Sequence, residues 1–176
     1  MAQWKEMGHE LFPISVNLSK LHFFNDALVE DILSQVRKFD IDPRFIELEV
    51  TETVFNAQTD LLSQKLEELR GYGFRVSVDD FGAGYSSLNI IGTLPVDIIK
   101  LDKGFVHSSL KTSKGQEIVK GLIEILNRID LRIICEGVED RASEKMISSY
   151  GCDEIQGYLY DRPLQVDQFA RKYLAS

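Results

Sequence analysis

The sequence predicts an α/β protein built as an incomplete TIM-type (β/α) barrel of about six strand–helix units. Three observations support this fold class. Short apolar runs of strand length alternate with longer stretches of helical spacing. Polar residues lie at the end of every run. The chain of 176 residues with 44% hydrophobic residues suits one compact domain. We therefore treat residues 1–176 as a single domain.

The predicted strands are rich in β-branched and aromatic residues, and each is five or six residues long, as ordinary strands are. Several have apolar side chains on both faces, which is typical of a parallel sheet covered by helices. The six predicted strands are residues 12–17, 45–50, 74–79, 97–101, 131–135 and 154–159.

Helices are predicted between the strands, where apolar residues recur three or four positions apart. Residues 166–173 form a last predicted helix, and residues 2–10 are typical of a helix end, with Gly8 as the stop. The periodic positions are Leu28, Ile32 and Val36 after Asn25; Leu62, Leu66 and Leu69 before Gly71; and Ile118, Leu122 and Ile125 after Ser113.

Two architectures fit this alternation, an open doubly wound sheet and a barrel. An open sheet gathers its site at one crevice, whereas a barrel spreads it over the carboxyl ends of several strands. Polar residues after all six predicted strands favour the barrel. A complete barrel has eight strands in about 250 residues, so two units are missing from this chain.

Composition excludes several classes of protein. The net charge of −8 disfavours a non-specific DNA or RNA binder, and no apolar run approaches the ~20 residues of a membrane span. Without a signal pattern at the N-terminus, we expect a cytoplasmic protein. Cys135 and Cys152 have no CxxC spacing, so we expect reduced thiols without a redox function.

The strongest local signal is the run DDFGAGYSS at residues 79–87. Asp79 and Asp80 lie at the end of a predicted strand and repel each other unless a cation lies between them, and the glycines after them predict a mobile loop. The alternative is a helix cap within an ordinary strand–helix turn.

The other candidates follow the remaining strands, and each has a structural alternative. Asn17 and Glu49 offer oxygen ligands of the kind that Mg²⁺ and Mn²⁺ prefer, although either could be a turn residue or a solvated strand end. Lys100 could orient a water molecule or simply pair with Asp102. The other candidates are Glu52, Glu136, which needs a cation or solvent, and Gln156, which could hold a water.

The chain contains no serine nucleophile motif, dinucleotide motif or nucleotide-triphosphate loop. His9, His22 and His107 have no partner at zinc-binding spacing. Carboxylate–metal chemistry remains, and phosphodiester hydrolysis at a two-metal site is the reaction that suits it.

These motifs together resemble the EAL-domain family, from about Ile14 to Leu164. The family's enzymes hydrolyse cyclic di-GMP to linear pGpG in a (β/α) barrel. The segments that carry the resemblance are SVNLS at 15–19, ELEVTET at 47–53, VDDFGAGYSSL at 78–88, LPVDIIKLDKGF at 94–105, CEGVED at 135–140 and GCDEIQGYLYDRPL at 151–164.

The resemblance implies a role for each matching residue. Lys100 holds the attacking water, with Glu136 and Glu52 also assigned to the catalytic machinery, and Gln156 and Asp102 contact substrate or water. Glu52 anchors the loop that includes Phe81, Gly82, Gly84, Tyr85 and Ser86 and that leads to a dimer interface. The implied ligands of Mg²⁺ or Mn²⁺ are Asn17, Glu49, Asp79, Asp80 and Glu136.

The chain also departs from the family. No EAL or EVL tripeptide occurs, so the glutamate of that segment and the first two barrel strands are absent. We expect a fragment of a longer protein with upstream sensory or cyclase domains, association into a homodimer through exposed sheet edges, and weakened metal binding. The alternative is an inactive module that binds or responds to cyclic di-GMP.

Overall fold

The computed structural model describes residues 1–55, 59–84 and 91–174. Six strands form one sheet in this part of the chain, and all six lie within the predicted runs or extend them by one or two residues. The strands are β1 (Ile14–Asn17), β2 (Ile46–Thr51), β3 (Arg75–Phe81), β4 (Ile98–Leu101), β5 (Arg132–Cys135) and β6 (Glu154–Ile155).

All six strands are parallel, and their order in the sheet is their order in the chain. Sequential order is the topology of a barrel, because a doubly wound sheet reverses direction at a switch point. The predicted fold class is therefore confirmed. Among the described residues, β1 pairs only with β2 and β6 only with β5, so the sheet has two free edges.

Helices cover the outside of the sheet, and several begin at a side chain that accepts a backbone hydrogen bond. Asp102, Thr112 and Asp140 cap three of them in this way. The helices are α1 (Ala2–Glu6), α2 (Leu28–Lys38), α3 (Glu52–Phe55), α4 (Thr59–Gly71), α5 (Lys103–Ser109), α6 (Ser113–Arg128), α7 (Arg141–Ser149) and α8 (Val166–Tyr173).

Alternation along the strands separates an apolar outer face from a polar inner face. On β2, Leu48 and Val50 join the helix-packed core, whereas Glu47 and Glu49 lie on the opposite face. The same separation holds on β4, where Ile99 belongs to the core and Lys100 faces inward with the carboxylates. The inner face is therefore where the polar residues converge.

Two predicted details are wrong. In α6 the buried residues are Val119, Ile123 and Leu126, while Ile118 and Ile125 are about half exposed, because the helix turns the neighbouring stripe toward the sheet. The last strand spans two residues instead of six. A Cβ on Gly157 would lie 2.0 Å from the backbone oxygen of Val138, so the chain leaves the sheet in a close backbone crossing there.

The two ends of the chain meet through an aromatic cluster. The rings of Trp4 and Phe12 each lie about 6 Å from the ring of Phe169 on α8, which also contacts Tyr173.

Within the described residues, no helix combines the length and apolarity needed to cross a bilayer.

Candidate functional site

Four charged side chains from neighbouring strands meet at the carboxyl edge of the sheet. Lys100 Nζ lies 2.6 Å from Glu49 Oε1, 2.7 Å from Glu136 Oε1 and 3.6 Å from Asp79 Oδ1. Glu49, Asp79 and Lys100 come from β2, β3 and β4, and Glu136 follows β5. We call this set the rim cluster. It brings together residues that are far apart in the sequence.

Lys100 is the buried centre of the rim cluster, with 5% of its surface exposed. Burial by itself lowers the pKa of an ammonium group, but the hydrogen bonds to Glu136 and Glu49 outweigh burial and raise the pKa of Lys100 above its ordinary value. Lys100 is therefore charged at neutral pH. The sequence alternative of a simple ion pair with Asp102 is wrong, because the lysine pairs with three other carboxylates.

The acids of the rim outnumber this single cation. Burial raises the pKa of Glu136, and the hydrogen bond from Lys100 only partly offsets it, with Asp79 and Glu49 adding repulsion. Burial also raises the pKa of Asp80, followed by repulsion from Asp79 and Asp102. Three carboxylates around one ammonium group leave the rim with more negative charge than Lys100 neutralises, which is the electrostatic setting of a cation site.

A bulge in β3 places the two adjacent aspartates. Val78 pairs with Ile99, but Phe81 pairs with Leu101, so β3 contains one extra residue over this stretch. Asp80 takes a left-handed φ of 56°, and its backbone N–H donates to Asp79 Oδ1 at 3.0 Å. The bulge lets both carboxylates lie at the rim, although neighbours in a regular strand face opposite ways.

The first residues of the predicted loop, Phe81 and Gly82, are held in place by contacts with the neighbouring segment. Phe81 is buried, and its carbonyl accepts a hydrogen bond from the backbone N–H of Asp102. Gly82 has a φ of 98°, and a Cβ there would lie 2.8 Å from the Phe105 ring, so only glycine fits. Gly84 is exposed. Tyr85 and Ser86, also predicted for this loop, lie outside the described residues.

Asn17 and Gln156 flank the rim cluster from the two edge strands. Asn17 is the in-register partner of Glu49, so both point to the same face of the sheet. Gln156 follows β6, its N–H donates to the carbonyl of Cys135, and it lines a cavity of about 480 Å³ together with Lys100. The structure thus brings seven predicted residues to one edge, and their individual roles stay predictions.

Glu52 and Asp102 occupy supporting positions. Glu52 is buried at 8% exposure and begins α3, which packs against β2 and β3. Asp102 accepts a hydrogen bond from the backbone N–H of Phe105 at 2.8 Å and so caps α5. The charge of Asp102 also contributes to raising the pKa of Asp80. The predicted contact of Asp102 with substrate or water stays a prediction.

Sequence reasoning missed a second polar group on the same inner face, beneath the rim. Arg132 pairs with Glu154 at 2.6 Å, and Arg75 lies in register beside Glu47. We call these four residues the lower chamber, and they line the same cavity as Lys100. The sequence signal that could have revealed this group is the position of Arg75 and Arg132, which begin β3 and β5 and alternate with residues that face the core.

The donor set of the rim suits a hard divalent cation, because carboxylate and amide oxygens are the ligands that Mg²⁺ and Mn²⁺ prefer. In this structure the Lys100 ammonium forms ion pairs with three of these carboxylates, those of Glu49, Asp79 and Glu136. Among the described residues, no three acidic, histidine or cysteine side chains are placed so that they could hold one metal ion as they stand. Metal binding at the rim therefore requires the carboxylates to turn from Lys100 toward the ion.

Comparison with known proteins identifies relatives over nearly the whole chain. The model of the EAL domain family matches residues 1–163. The Pseudomonas aeruginosa protein MucR, named a bifunctional diguanylate cyclase/cyclic di-GMP phosphodiesterase, is 34% identical over 168 residues, which are 96% of this chain and 24% of MucR. The chain thus spans about a quarter of that relative.

Solved structures agree with the fold. The MucR phosphodiesterase in complex with c-di-GMP superimposes with a TM-score of 0.87 at 34% identity, covering 96% of this chain and 68% of that one. Klebsiella pneumoniae BlrP1, solved with manganese and cyclic di-GMP, gives a TM-score of 0.83 at 26% identity, covering 92% of this chain and 42% of that one.

Proposed function

We propose, on the premise that this chain belongs to the EAL domain family, that it acts on c-di-GMP as a phosphodiesterase domain and releases pGpG. The observation that carries the proposal is the rim cluster, in which Glu49, Asp79 and Glu136 surround a buried Lys100. An ammonium group among acids at the carboxyl edge of a barrel is a suitable place to hold water beside a phosphodiester.

The residues of the rim divide the work. Lys100 is the residue that would orient the attacking water, because its ammonium can donate three hydrogen bonds, and these become available to water when Glu49 and Glu136 turn toward the metal. Asn17, Glu49, Asp79, Asp80 and Glu136 would hold Mg²⁺ or Mn²⁺ in a two-metal site. The bound ions would neutralise the phosphate and lower the pKa of a bound water. Manganese in the BlrP1 structure supports this choice of metal.

The test is hydrolysis of c-di-GMP by the 176-residue chain with Mg²⁺ or Mn²⁺, followed by chromatography of pGpG. We expect turnover that falls at least about 100-fold in Lys100→Ala and Asp79→Ala. Lys114→Ala, which changes an exposed lysine of α6, is the matched control and should retain full activity. Equal turnover by the rim variants and the control would contradict the proposal.

A second candidate is a module that binds c-di-GMP without cleaving it. Two observations favour it. Three carboxylates form ion pairs with Lys100, and within the described residues no three acidic, histidine or cysteine side chains are already placed to hold a metal ion. Calorimetry distinguishes the two candidates. Binding of c-di-GMP without pGpG release, with or without Mn²⁺, would favour the module.

Association into a homodimer is part of the proposal. The free edges of β1 and β6 present unpaired backbone groups, and Val16 on β1 is 45% exposed. Light scattering should detect dimers, and a monomer at high concentration would contradict the dimer. We also propose that the chain works as one domain in the cytoplasm, beside sensory or cyclase domains such as the name of MucR implies.

A further inference from the structure

Helix α4 contains a buried lysine that is not part of the rim cluster. Lys65 is 7% exposed, and its Nζ donates hydrogen bonds to the backbone carbonyls of Phe23 at 2.9 Å and Asn25 at 2.8 Å. Within the described residues, the one carboxylate that approaches this Nζ belongs to the fully exposed side chain of Asp26, at 4.0 Å. The Lys65 ammonium is therefore held mainly by two backbone carbonyls and not by an acid.

A lysine is a costly residue at this place in the fold. Apolar residues occupy the neighbouring buried positions of the same helix, namely Leu62, Leu66 and Leu69. Burial of an ammonium group costs free energy that only good hydrogen bonds offset, whereas another leucine would be buried without that cost. The carbonyls that Lys65 binds lie at the carboxyl end of a short 3₁₀ helix, Lys20–Phe24, where a cation is favourable. The position of Lys65 thus indicates a task beyond filling the core.

The segment that Lys65 holds, residues 18–25, follows Asn17 directly. Its first residue, Leu18, is buried, and the Leu18 N–H donates to the carbonyl of Glu49 at 2.7 Å. The 3₁₀ helix comes next, and the carbonyl of its last residue is one of the two that Lys65 binds. The segment is therefore attached to β2 at its start and to α4 at its end.

Asn17 depends on this segment more than the other predicted metal ligands do. Glu49 and Asp79 lie on strands with a paired neighbour on both sides, whereas β1 pairs only with β2 among the described residues. The carboxylates of Glu49, Asp79 and Glu136 also form ion pairs with Lys100. The neutral amide of Asn17 cannot form such a pair, so its place at the rim depends on the backbone at the end of β1.

We propose that Lys65 is the positioning residue of Asn17. The inference rests on the proposed function, in which Asn17 is a metal ligand. By holding residues 18–25 against α4, Lys65 fixes the backbone where β1 ends and keeps the Asn17 amide on the same face as Glu49. Lys65 acts through Asn17 in this role and contacts neither metal nor substrate.

Amide hydrogen exchange of the metal-free chain, followed by NMR, tests whether Lys65 holds the end of β1. Lys65→Met removes both hydrogen bonds and keeps an apolar stem, so the Leu18 N–H should exchange at least about tenfold faster. The Gln156 N–H, which bonds the Cys135 carbonyl at the opposite edge of the sheet, should exchange as before. The matched control Lys114→Met, which changes an exposed lysine, should leave both amides unchanged.

Two results of the exchange experiment would overturn the proposal. One is unchanged exchange at Leu18, and the other is equal acceleration at Leu18 and Gln156, which would show a general loss of stability. Circular dichroism checks that the variant folds. Lys65→Gln, whose side chain is shorter and neutral, is the second variant if Lys65→Met does not fold, and the same acceleration at Leu18 is expected of it.

Mn²⁺ calorimetry then tests whether Lys65 acts through Asn17. Lys65→Met should lower Mn²⁺ affinity about tenfold in the otherwise unchanged chain and should cause no further loss when combined with Asn17→Ala. Unchanged affinity, or equal losses with and without Asn17, would overturn the proposal. If the unchanged chain binds no Mn²⁺, the metal site of the proposed function fails, and the exchange at Leu18 alone decides whether Lys65 holds the end of β1.

Discussion

The rim cluster and the lower chamber occupy the same inner face of the sheet, yet their charge balance differs. The lower chamber contains two arginines and two glutamates, with Arg132 and Glu154 paired directly. The rim cluster contains three carboxylates around one lysine, with Asp80 nearby. A balanced set needs no ligand, whereas an excess of buried acid favours a cation. Charge balance, and not polarity alone, distinguishes the candidate site.

The largest expected effect comes from removing the central cation of the rim. Lys100→Met leaves three converging carboxylates without a partner, and breaking such a buried arrangement costs about 3–5 kcal/mol of the free energy of unfolding. Urea unfolding without metal measures it. The exposed Lys114→Met should change stability by less than about 0.5 kcal/mol.

Repeating the unfolding measurement with Mn²⁺ tests whether the rim carboxylates bind a divalent ion. If the rim carboxylates accept a divalent ion, Mn²⁺ should stabilise Lys100→Met more than the unchanged chain, because the ion then meets no competing ammonium. Equal stabilisation of both proteins by Mn²⁺ would mean that the metal binds elsewhere.

A matched pair of substitutions compares the two regions on one strand. Glu49 and Glu47 lie on the same face of β2 and are each 6% exposed. Glu49→Gln weakens the 2.6 Å charged hydrogen bond to Lys100 and should cost about 1.5–3 kcal/mol. Glu47 Oε1 is buried without a hydrogen-bond partner in the described part of the chain, so Glu47→Gln should cost less than about 1 kcal/mol.

The same two variants show whether Glu49 binds the metal and Glu47 does not. Calorimetry should show Mn²⁺ affinity reduced at least about tenfold in Glu49→Gln and unchanged in Glu47→Gln. Parallel losses of affinity in both variants would erase the distinction between rim and lower chamber.

The rim should also show a characteristic dependence on pH. Because the pKa of Glu136 is raised in the folded protein, the folded state binds its proton more tightly than the unfolded state. Stability contributed by this group is therefore present at low pH and lost as pH rises above the ordinary value of 4.5 through the raised pKa.

Urea unfolding of the metal-free chain and of Glu136→Gln across this range measures the contribution. The stability of the unchanged chain relative to the variant should fall as pH rises, by about 1.4 kcal/mol for each unit by which the pKa is raised. A difference that grows with pH would show that the Lys100 hydrogen bond dominates instead.

The smallest effect is expected in the lower chamber. The side chains of Arg132 and Glu154 are 44% and 48% exposed, so their ion pair is screened by water. Arg132→Met should change the free energy of unfolding by about 0–1 kcal/mol and leave Mn²⁺ affinity unchanged. A loss as large as that of Lys100→Met would show that the lower chamber is not a balanced scaffold.

Much of this molecule could be predicted from local patterns. The strands that lead to Asn17, Glu49, Asp79 and Lys100 were predicted within a few residues, since apolar runs and turns are local signals. The predicted face of α6 was wrong because Ile118 and Val119 are both apolar, and only packing selects the buried one. The short β6 was missed because the crossing at Gly157 depends on Val138, which is distant in sequence.

The sequence by itself determined the alternation of strand and helix and the polar residue types at the strand ends, because periodicity and composition are properties of neighbouring residues. Only the tertiary structure decided that Lys100 pairs with Glu49, Asp79 and Glu136 instead of Asp102. Such contacts depend on strand register and on the bulge in β3, which arise when separate segments pack together.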